Sequence, residues 1–311
     1  MTPTPQTDRG IYLLGNDAVL EWALACLGSL EVSGNRLPLM LIPYGGESGK
    51  LEAVVRRLGH AVLDEPGLLA RLDAIAGALT QWPGLEGTYR KFAAFAGPFE
   101  RFLLMDADVV VTGDLGAVID AGADFDVFAA QHTGEGSVWR PGYRPEGASA
   151  HGVNGGIWCS RRGLVDIDRL ETLARDAAVV RSGFASRGEQ SFFNFWLTRD
   201  RPSWRVWNEV ADAPECLWVG DLPAGDRATQ QVPGGVVMVH WAGIELSQRM
   251  PLRRTWLDYR LAGSGPRERA AYLRREPLRA IAAQARRVSA RGRRLVARLP
   301  LPVRPGPGDH R

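Results

Sequence analysis

Residues 101–115 read Arg101-Phe102-Leu103-Leu104-Met105-Asp106-Ala107-Asp108-Val109-Val110-Val111-Thr112-Gly113-Asp114-Leu115. An apolar run of strand length enters two aspartates separated by one residue, and a run of valines leaves them. Carboxylates at the end of a strand are hard oxygen ligands suited to a divalent cation. The same pair can also cap a helix or face solvent in a turn, so the surrounding chain has to decide between these readings.

On the N-terminal side, Gly10 to Leu14 predicts a buried strand, and Asn16-Asp17 offers an N-cap for a helix through Trp22, Leu24, Leu27 and Leu30. Leu37 to Tyr44 is a second apolar strand, stopped by Gly45-Gly46, with a helix expected over 51–58 and a short strand over 61–63. Helices are expected over 68–79 and 88–96. On the C-terminal side, 125–130 reads as a strand. The polar, glycine-rich stretch from Gln131 to Gly152 is long enough to be a mobile loop over a site. A strand over 155–160, helices over 167–180 and 189–197 and a last strand over 236–240 complete the pattern. Such alternation argues for an α/β domain with a mostly parallel sheet flanked by helices, and ligands of open α/β sheets gather at the carboxyl ends of the strands.

The 311 residues are 45% hydrophobic and 23% charged, ordinary values for a globular protein, and no apolar run is long enough to span a bilayer. Met1 to Arg9 lacks the basic start and apolar stretch of a secretory signal, so a cytoplasmic location is expected. Cys26, Cys159 and Cys216 are far apart, without the spacings of structural zinc or a disulfide framework, and read as reduced thiols. The charge is uneven. From Gly265 to Arg311, thirteen arginines stand against Glu268, Glu276 and Asp309, so this end carries +10 and the body, with +3 for the whole chain, carries −7. The expected organisation is a catalytic α/β domain over 8–262 and a basic, partly helical C-terminal appendage over 263–311.

Further segments now give the aspartate pair its context. Run 101–115 resembles the metal-binding strand of GT-A glycosyltransferases. Asn16-Asp17 with the following helix resembles the opening nucleotide-binding unit of the retaining family that includes glycogenin and the bacterial lipooligosaccharide galactosyltransferases (glycosyltransferase family 8). Tyr89-Arg90-Lys91-Phe92 is similar to the segment before the metal strand there, Val153-Asn154-Gly155-Gly156-Ile157-Trp158 to that family's Asn-Ser-Gly strand, and Glu189-Gln190-Ser191-Phe192-Phe193-Asn194 to its Asp-Gln segment. Val239-His240-Trp241-Ala242-Gly243 is similar to its late His-x-x-Gly motif. The resemblance spans about residues 10 to 250 and implies a GT-A fold. It also implies transfer of a sugar from a nucleotide-diphosphate sugar to a glycan, lipid-linked or small-molecule acceptor, with retention at the anomeric carbon.

The residues carry roles that can be stated chemically. Asp106, Asp108 and His240 form the expected metal set, and the imidazole nitrogen suits Mn²⁺ better than Mg²⁺; a core histidine is the alternative for His240. The amide of Asn154 can bond sugar hydroxyls, and Gly155-Gly156 lets the donor approach the backbone or simply makes a tight turn. Gln190 is neutral and cannot be a strong base, which fits a retaining mechanism; a structural amide is its alternative. Lys91 and Arg90 can reach phosphates or sit on the surface, Asp17 can contact the nucleotide or cap a helix, and Gly243 belongs to the donor contact set. Two features depart from the family. Ile244-Glu245-Leu246 stands where Lys-Pro-Trp normally follows, which moves the expected diphosphate contact to Arg249, Arg253 or Arg254. Glu189 also replaces the usual aspartate.

Two rival readings remain. Asp106-Ala107-Asp108-Val109-Val110 also fits the pattern of haloacid-dehalogenase-like phosphatases, with Asp106 as nucleophile and Gly220-Asp221 and Asp226 as the late acidic motif. A non-catalytic membrane-surface protein is suggested by the tail. After Pro277, residues Leu278, Ile281, Ala285, Val288, Gly292, Leu295 and Leu299 follow a helical period among arginines. Such a helix lies on an anionic membrane or packs against the domain. Nucleic acid is not expected, because the tail has almost no aromatic residues for stacking.

Overall fold

A computed structural model of the chain describes residues 7–80, 85–134, 136–149, 151–185, 188–222, 231–247, 250–267 and 269–274. The chain divides into two compact units, residues 1–245 with 249–262, and residues 246–248 with 263–311. In the second unit residues 269–274 are helical, and the predicted amphipathic helix from Pro277 to Leu299 lies outside the described residues. No helix among the described residues is long and apolar enough to cross a membrane.

The first unit opens with β1 (Thr7–Gly15), a 3₁₀ turn capped by Asn16, and α1 (Leu20–Val32). Then come β2 (Leu39–Pro43), α2 (Gly49–Arg57), β3 (Ala61–Val62) and α3 (Pro66–Leu79), with proline in the first turn of α3, where its missing N–H costs nothing. A run of 3₁₀ turns over Glu86–Ala96 leads into β4 (Phe99–Asp106), β5 (Val109–Val111), α4 (Leu115–Ala121) and β6 (Val127–Ala129). The unit closes with β7 (Ile157–Arg161), α5 (Ile167–Val180), α6 (Gln190–Asp200), β8 (Trp204–Val206), β9 (Glu215–Trp218), β10 (Val236–His240) and α7 (Arg253–Arg260).

Seven strands form the main sheet in the order β3-β2-β1-β4-β7-β6-β8. All run the same way except β7, which pairs antiparallel with both β4 and β6. Both faces are covered, which is why the central strands read as unbroken apolar runs rather than alternating ones. Tyr12, Leu14, Phe102, Leu104 and Trp158 point into a core against α3, the 3₁₀ run, α5 and α6. Ile11, Leu13, Leu103, Met105 and Ile157 point the other way, into a core against α1, α2 and α4. A smaller sheet, β5-β10-β9, stands beside it.

The 88–96 segment differs from the predicted helix, because it is wound as 3₁₀ turns with three residues per turn. That period stacks Tyr89, Phe92 and Phe95 on one side, all buried, and brings Thr88 and Lys91 to another. Phe95 meets Phe102, Trp158 and Trp196 at ring-centroid distances of 5.7, 5.4 and 5.4 Å. The predicted mobile loop is also pinned. Thr133 N–H donates to the Gly152 carbonyl, Arg140 N–H to the Gly183 carbonyl, and Ser191 Oγ to the Val138 carbonyl. Its Trp139 is largely buried and packs against Phe184.

Replacing Phe95 by alanine removes a ring clasped by four aromatic neighbours. The expected loss of unfolding free energy is about 3–5 kcal/mol, measured by urea denaturation.

Candidate active site

Strand direction decides what meets at one edge of the sheet. β4 runs parallel to β1 with Asp106 opposite Leu14, so the acidic pair emerges at the carboxyl end of the parallel strands. β7 runs the other way, with Ile157 opposite Met105, and the segment preceding it, Asn154-Gly155-Gly156, therefore lies at that same edge. Asp106 N–H donates to the Gly156 carbonyl at 2.8 Å. β10 is antiparallel to β5 with His240 opposite Val109, and Trp241 N–H donates to the Asp108 carbonyl at 2.9 Å. These three pairings close sequence separations of 92, 52 and 131 residues.

One ligand atom from each of Asp106, Asp108 and His240 lies within 4.8 Å of the others. His240 is buried at 1% exposure, yet neither ring nitrogen has a hydrogen-bond partner, and neither does the buried Oδ1 of Asp108, 3.4 Å from His240 Nε2. Buried polar atoms left in this state cost free energy unless a further ligand satisfies them. The alternative of a core histidine with one satisfied nitrogen is not what the structure holds. Two carboxylates, Asp106 and Asp108, and the His240 imidazole meet at this edge, a donor set that fits a divalent cation. Burial, with Asp108 and Glu189 nearby, outweighs the pull of Lys91 and pushes Asp106 up to about 6. Burial also raises Asp108, but His240 and Lys91 outweigh it and hold its carboxyl below the usual range.

The floor of the site is glycine by necessity. A Cβ on Gly156 would stand 2.7 Å from His240 Cε1, 2.9 Å from Asn154 Oδ1 and 2.9 Å from Asp106 Oδ2, and one on Gly155 would stand 2.9 Å from Glu189 Oε1. A tight turn alone does not explain them. Asn154 Oδ1 accepts from Gly156 N–H at 2.7 Å, and Gln190 Oε1 accepts from Gly155 N–H at 3.3 Å. Both amides are thereby oriented, with their NH₂ groups left to donate elsewhere. Asn194, one turn along α6, uses its amide on Val153 N–H and on the Val153 and Gln190 carbonyls, which ties this segment to the helix.

Three expectations change. Lys91 is neither on the surface nor available to phosphate: it is buried, and its ammonium meets Glu189 at 2.6 Å, Asp106 at 2.9 Å and the Gly155 carbonyl at 3.1 Å, using all three donors. Arg90 pairs with Asp73 and the Pro43 carbonyl. Asp17 caps a helix, but not its own: its carboxylate accepts the N–H groups of Lys50 and Leu51 at the start of α2, and Asn16 is the cap that the sequence promised. Gly243 takes a left-handed φ of 74° in the turn after β10, where Ile244 N–H returns to the Trp241 carbonyl. Of the three candidate arginines, Arg249 lies outside the described residues. Arg253 and Arg254 open α7, whose approach is joined to the site strand by a bond from Trp241 Nε1 to the Pro251 carbonyl at 2.7 Å. Two neighbours escaped the sequence. Tyr44 stands at the end of β2 and feels Asp106, Lys91, Asp108 and Glu189, and its hydroxyl is pushed up to about 12, chiefly by burial. Trp218 lies opposite His240 across β9 and β10, exposed, with its indole N–H on the Ala242 carbonyl. A strand-end position was the only signal for Tyr44, and Trp218 had none. Asp106 sits on the fourth strand in chain order, not the first, which argues against the phosphatase reading; Asp226 lies outside the described residues.

Lys91→Met leaves Glu189 buried and unpaired, and should cost about 3–5 kcal/mol in urea denaturation. Adding Glu189→Leu to that variant should recover part of the loss.

No protein-family model matches the chain, and no curated protein matches it by sequence. Solved structures do. The galactosyltransferase LgtC, in complex with donor and acceptor sugar analogues, superposes with a TM-score of 0.56 at 16% identity, covering 83% of this chain and 96% of that one. Apo mouse xyloside xylosyltransferase 1 gives 0.52 at 14% identity, over 75% and 97% of the two chains. The bifunctional glycosyltransferase WbbM gives 0.54 at 14% identity, with 88% of this chain matching about half, 53%, of that one. The chain therefore has the GT-A fold of these glycosyltransferases, the architecture implied by its resemblance to the glycogenin and lipooligosaccharide galactosyltransferase family.

Proposed function

We propose that this protein is a metal-dependent glycosyltransferase. It would move a sugar, a hexose in our reading, from a nucleotide-diphosphate sugar to a hydroxyl of a glycan, lipid-linked or small-molecule acceptor, with retention at the anomeric carbon. The observation that carries this reading is the convergence of Asp106, Asp108 and His240, with buried ligand atoms lacking any partner, at the carboxyl edge of a GT-A sheet. A divalent cation held by these three, Mn²⁺ in preference to Mg²⁺ because of the nitrogen ligand, supplies positive charge against the diphosphate that leaves.

The remaining roles belong to the chain's own groups. Lys91 keeps Asp106 charged and aimed, since its ammonium bridges that carboxylate to Glu189. Gly155 and Gly156 let Asp106, His240, Asn154 and Glu189 close on the backbone of the site, and the NH₂ groups of Asn154 and Gln190, without a partner among the described residues, donate to sugar oxygens of the donor. Gln190 has no basic atom to remove a proton, which accords with retention, where the leaving diphosphate can take the acceptor's proton. The 131–152 segment, anchored as it is, offers a rigid surface for the acceptor.

Binding of UDP and GDP with Mn²⁺, followed by calorimetry, tests the assignment. The wild type should bind at least one of them, and Asp108→Asn and His240→Gln should each weaken binding tenfold or more; equal binding by all three proteins would refute the metal set. The basic tail is read as a contact to anionic membrane on the cytoplasmic face. Deleting residues 275–311 should release the protein from phosphatidylserine vesicles in a flotation assay while nucleotide binding persists.

A further inference from the structure

The anchored 131–152 segment borders a half-open cavity of about 700 Å³ whose walls include Trp139, Arg140, Tyr143, Arg144 and Gly152. Its size falls in the range of pockets that hold small ligands, roughly 300–1,000 Å³, and its mix of aromatic walls with a few polar groups is that of a binding site. The shape is built in. Gly136 and Gly142 hold left-handed turns at φ 77° and 81°, and the Tyr143 ring lies directly over Gly183, where no Cβ would fit. Arg140 is oriented by its Nε bond to the Phe184 carbonyl at 3.0 Å.

The charged residues among the cavity's described lining, Arg140 and Arg144, are both positive. Several other arginines of the body are matched to carboxylates, among them Arg9 to Asp120, Arg90 to Asp73 and Arg161 to Asp126. Arg144 makes no ion pair or hydrogen bond among the described residues, and none of the described residues lining the cavity is acidic. In a body of net charge −7, a guanidinium on a cavity wall with no acidic residue among its described lining is a ready site for an anion. The cavity is also close to the chemistry. Gly152 is two residues from Asn154, so their Cα atoms are at most about 7 Å apart.

We propose that this cavity is the acceptor subsite, and that it takes an acidic saccharide, one bearing a carboxylate or a phosphate ester, with the anion on Arg144. The assignment of the cavity to an acceptor rests on the glycosyl-transfer reading; the preference for an anion rests on the cavity itself. Arg144 is exposed and has no polar partner among the described residues, so its replacement leaves the fold intact, and an unchanged thermal midpoint checks this.

Methyl β-D-glucuronide, glucose 6-phosphate and methyl β-D-glucoside serve as probes, with binding to the full-length protein followed by ligand-observed NMR titration. At least one acidic probe should bind tenfold or more tighter than the neutral glucoside, and the tighter of the two identifies the anion. Arg144→Gln should erase that preference, and Arg144→Lys should restore part of it, since charge returns without the planar fork. Equal affinity for acidic and neutral probes, or a preference that survives Arg144→Gln, would overturn the proposal. UDP and GDP binding with Mn²⁺, measured on the same wild-type sample, separates the two readings. An anion preference without nucleotide binding refutes the acceptor role along with the transfer reading, whereas nucleotide binding without an anion preference refutes only the acidic acceptor.

Discussion

The ammonium of Lys91 sits in the protein interior between Asp106 and Glu189, with the Gly155 carbonyl taking its third proton. An ammonium withdrawn from water is several kcal/mol unfavourable unless its charge and all its donors are met. Here they are met only when the 3₁₀ run, the end of β4, the glycine segment before β7 and the start of α6 are all in place. The 3₁₀ winding contributes directly, because a three-residue period puts Lys91 and Thr88 on one side while Tyr89, Phe92 and Phe95 fill the core on another. Thr88 Oγ1 then accepts the Glu189 N–H, a second tie between the same two segments. The departure of Glu189 from the family's aspartate thus has a structural place, as the longer carboxylate that holds Lys91.

With Asp106 held from below by Lys91, the site's unsatisfied buried atoms among the described residues are on Asp108 and His240. Natural proteins leave buried polar groups unpaired mainly where function uses them. The surroundings are correspondingly rigid: the glycine floor permits no side chain, and the amides of Asn154 and Gln190 are each fixed by a glycine N–H. Such preorganisation suits a site that acts by electrostatics, since donors and charges need no rearrangement when charge develops.

Most of the framework was legible in the sequence because local pattern suffices for it. The unbroken apolar runs at 10–14, 37–44 and 101–105 could only be strands covered on both faces, and the helix over 167–180 appears with those bounds. The elements that were missed, β5, β8, β9, α4 and α7, are three to eight residues long, too short for a period to show, and the three strands exist because neighbours supply their hydrogen bonds. Asp17 shows the limit of local reasoning. A cap was foreseen, but the helix it caps begins at Gly49, and only the parallel pairing of β1 with β2 brings the two together.

The sequence by itself determined the α/β architecture and picked out Asp106, Asp108 and His240 as candidate cation ligands, because strand periodicity and ligand chemistry are properties of short stretches and residue types. Only the tertiary structure decided that Lys91 faces inward to two carboxylates, that Trp139 packs in the core, and that Arg144 lines a cavity with no acidic partner among the described residues. Those facts depend on which residues 44 to 98 positions apart come within hydrogen-bond reach. That in turn depends on the reversed direction of β7 and on the way the 3₁₀ run and the 131–152 segment pack against α6, and no single segment encodes either.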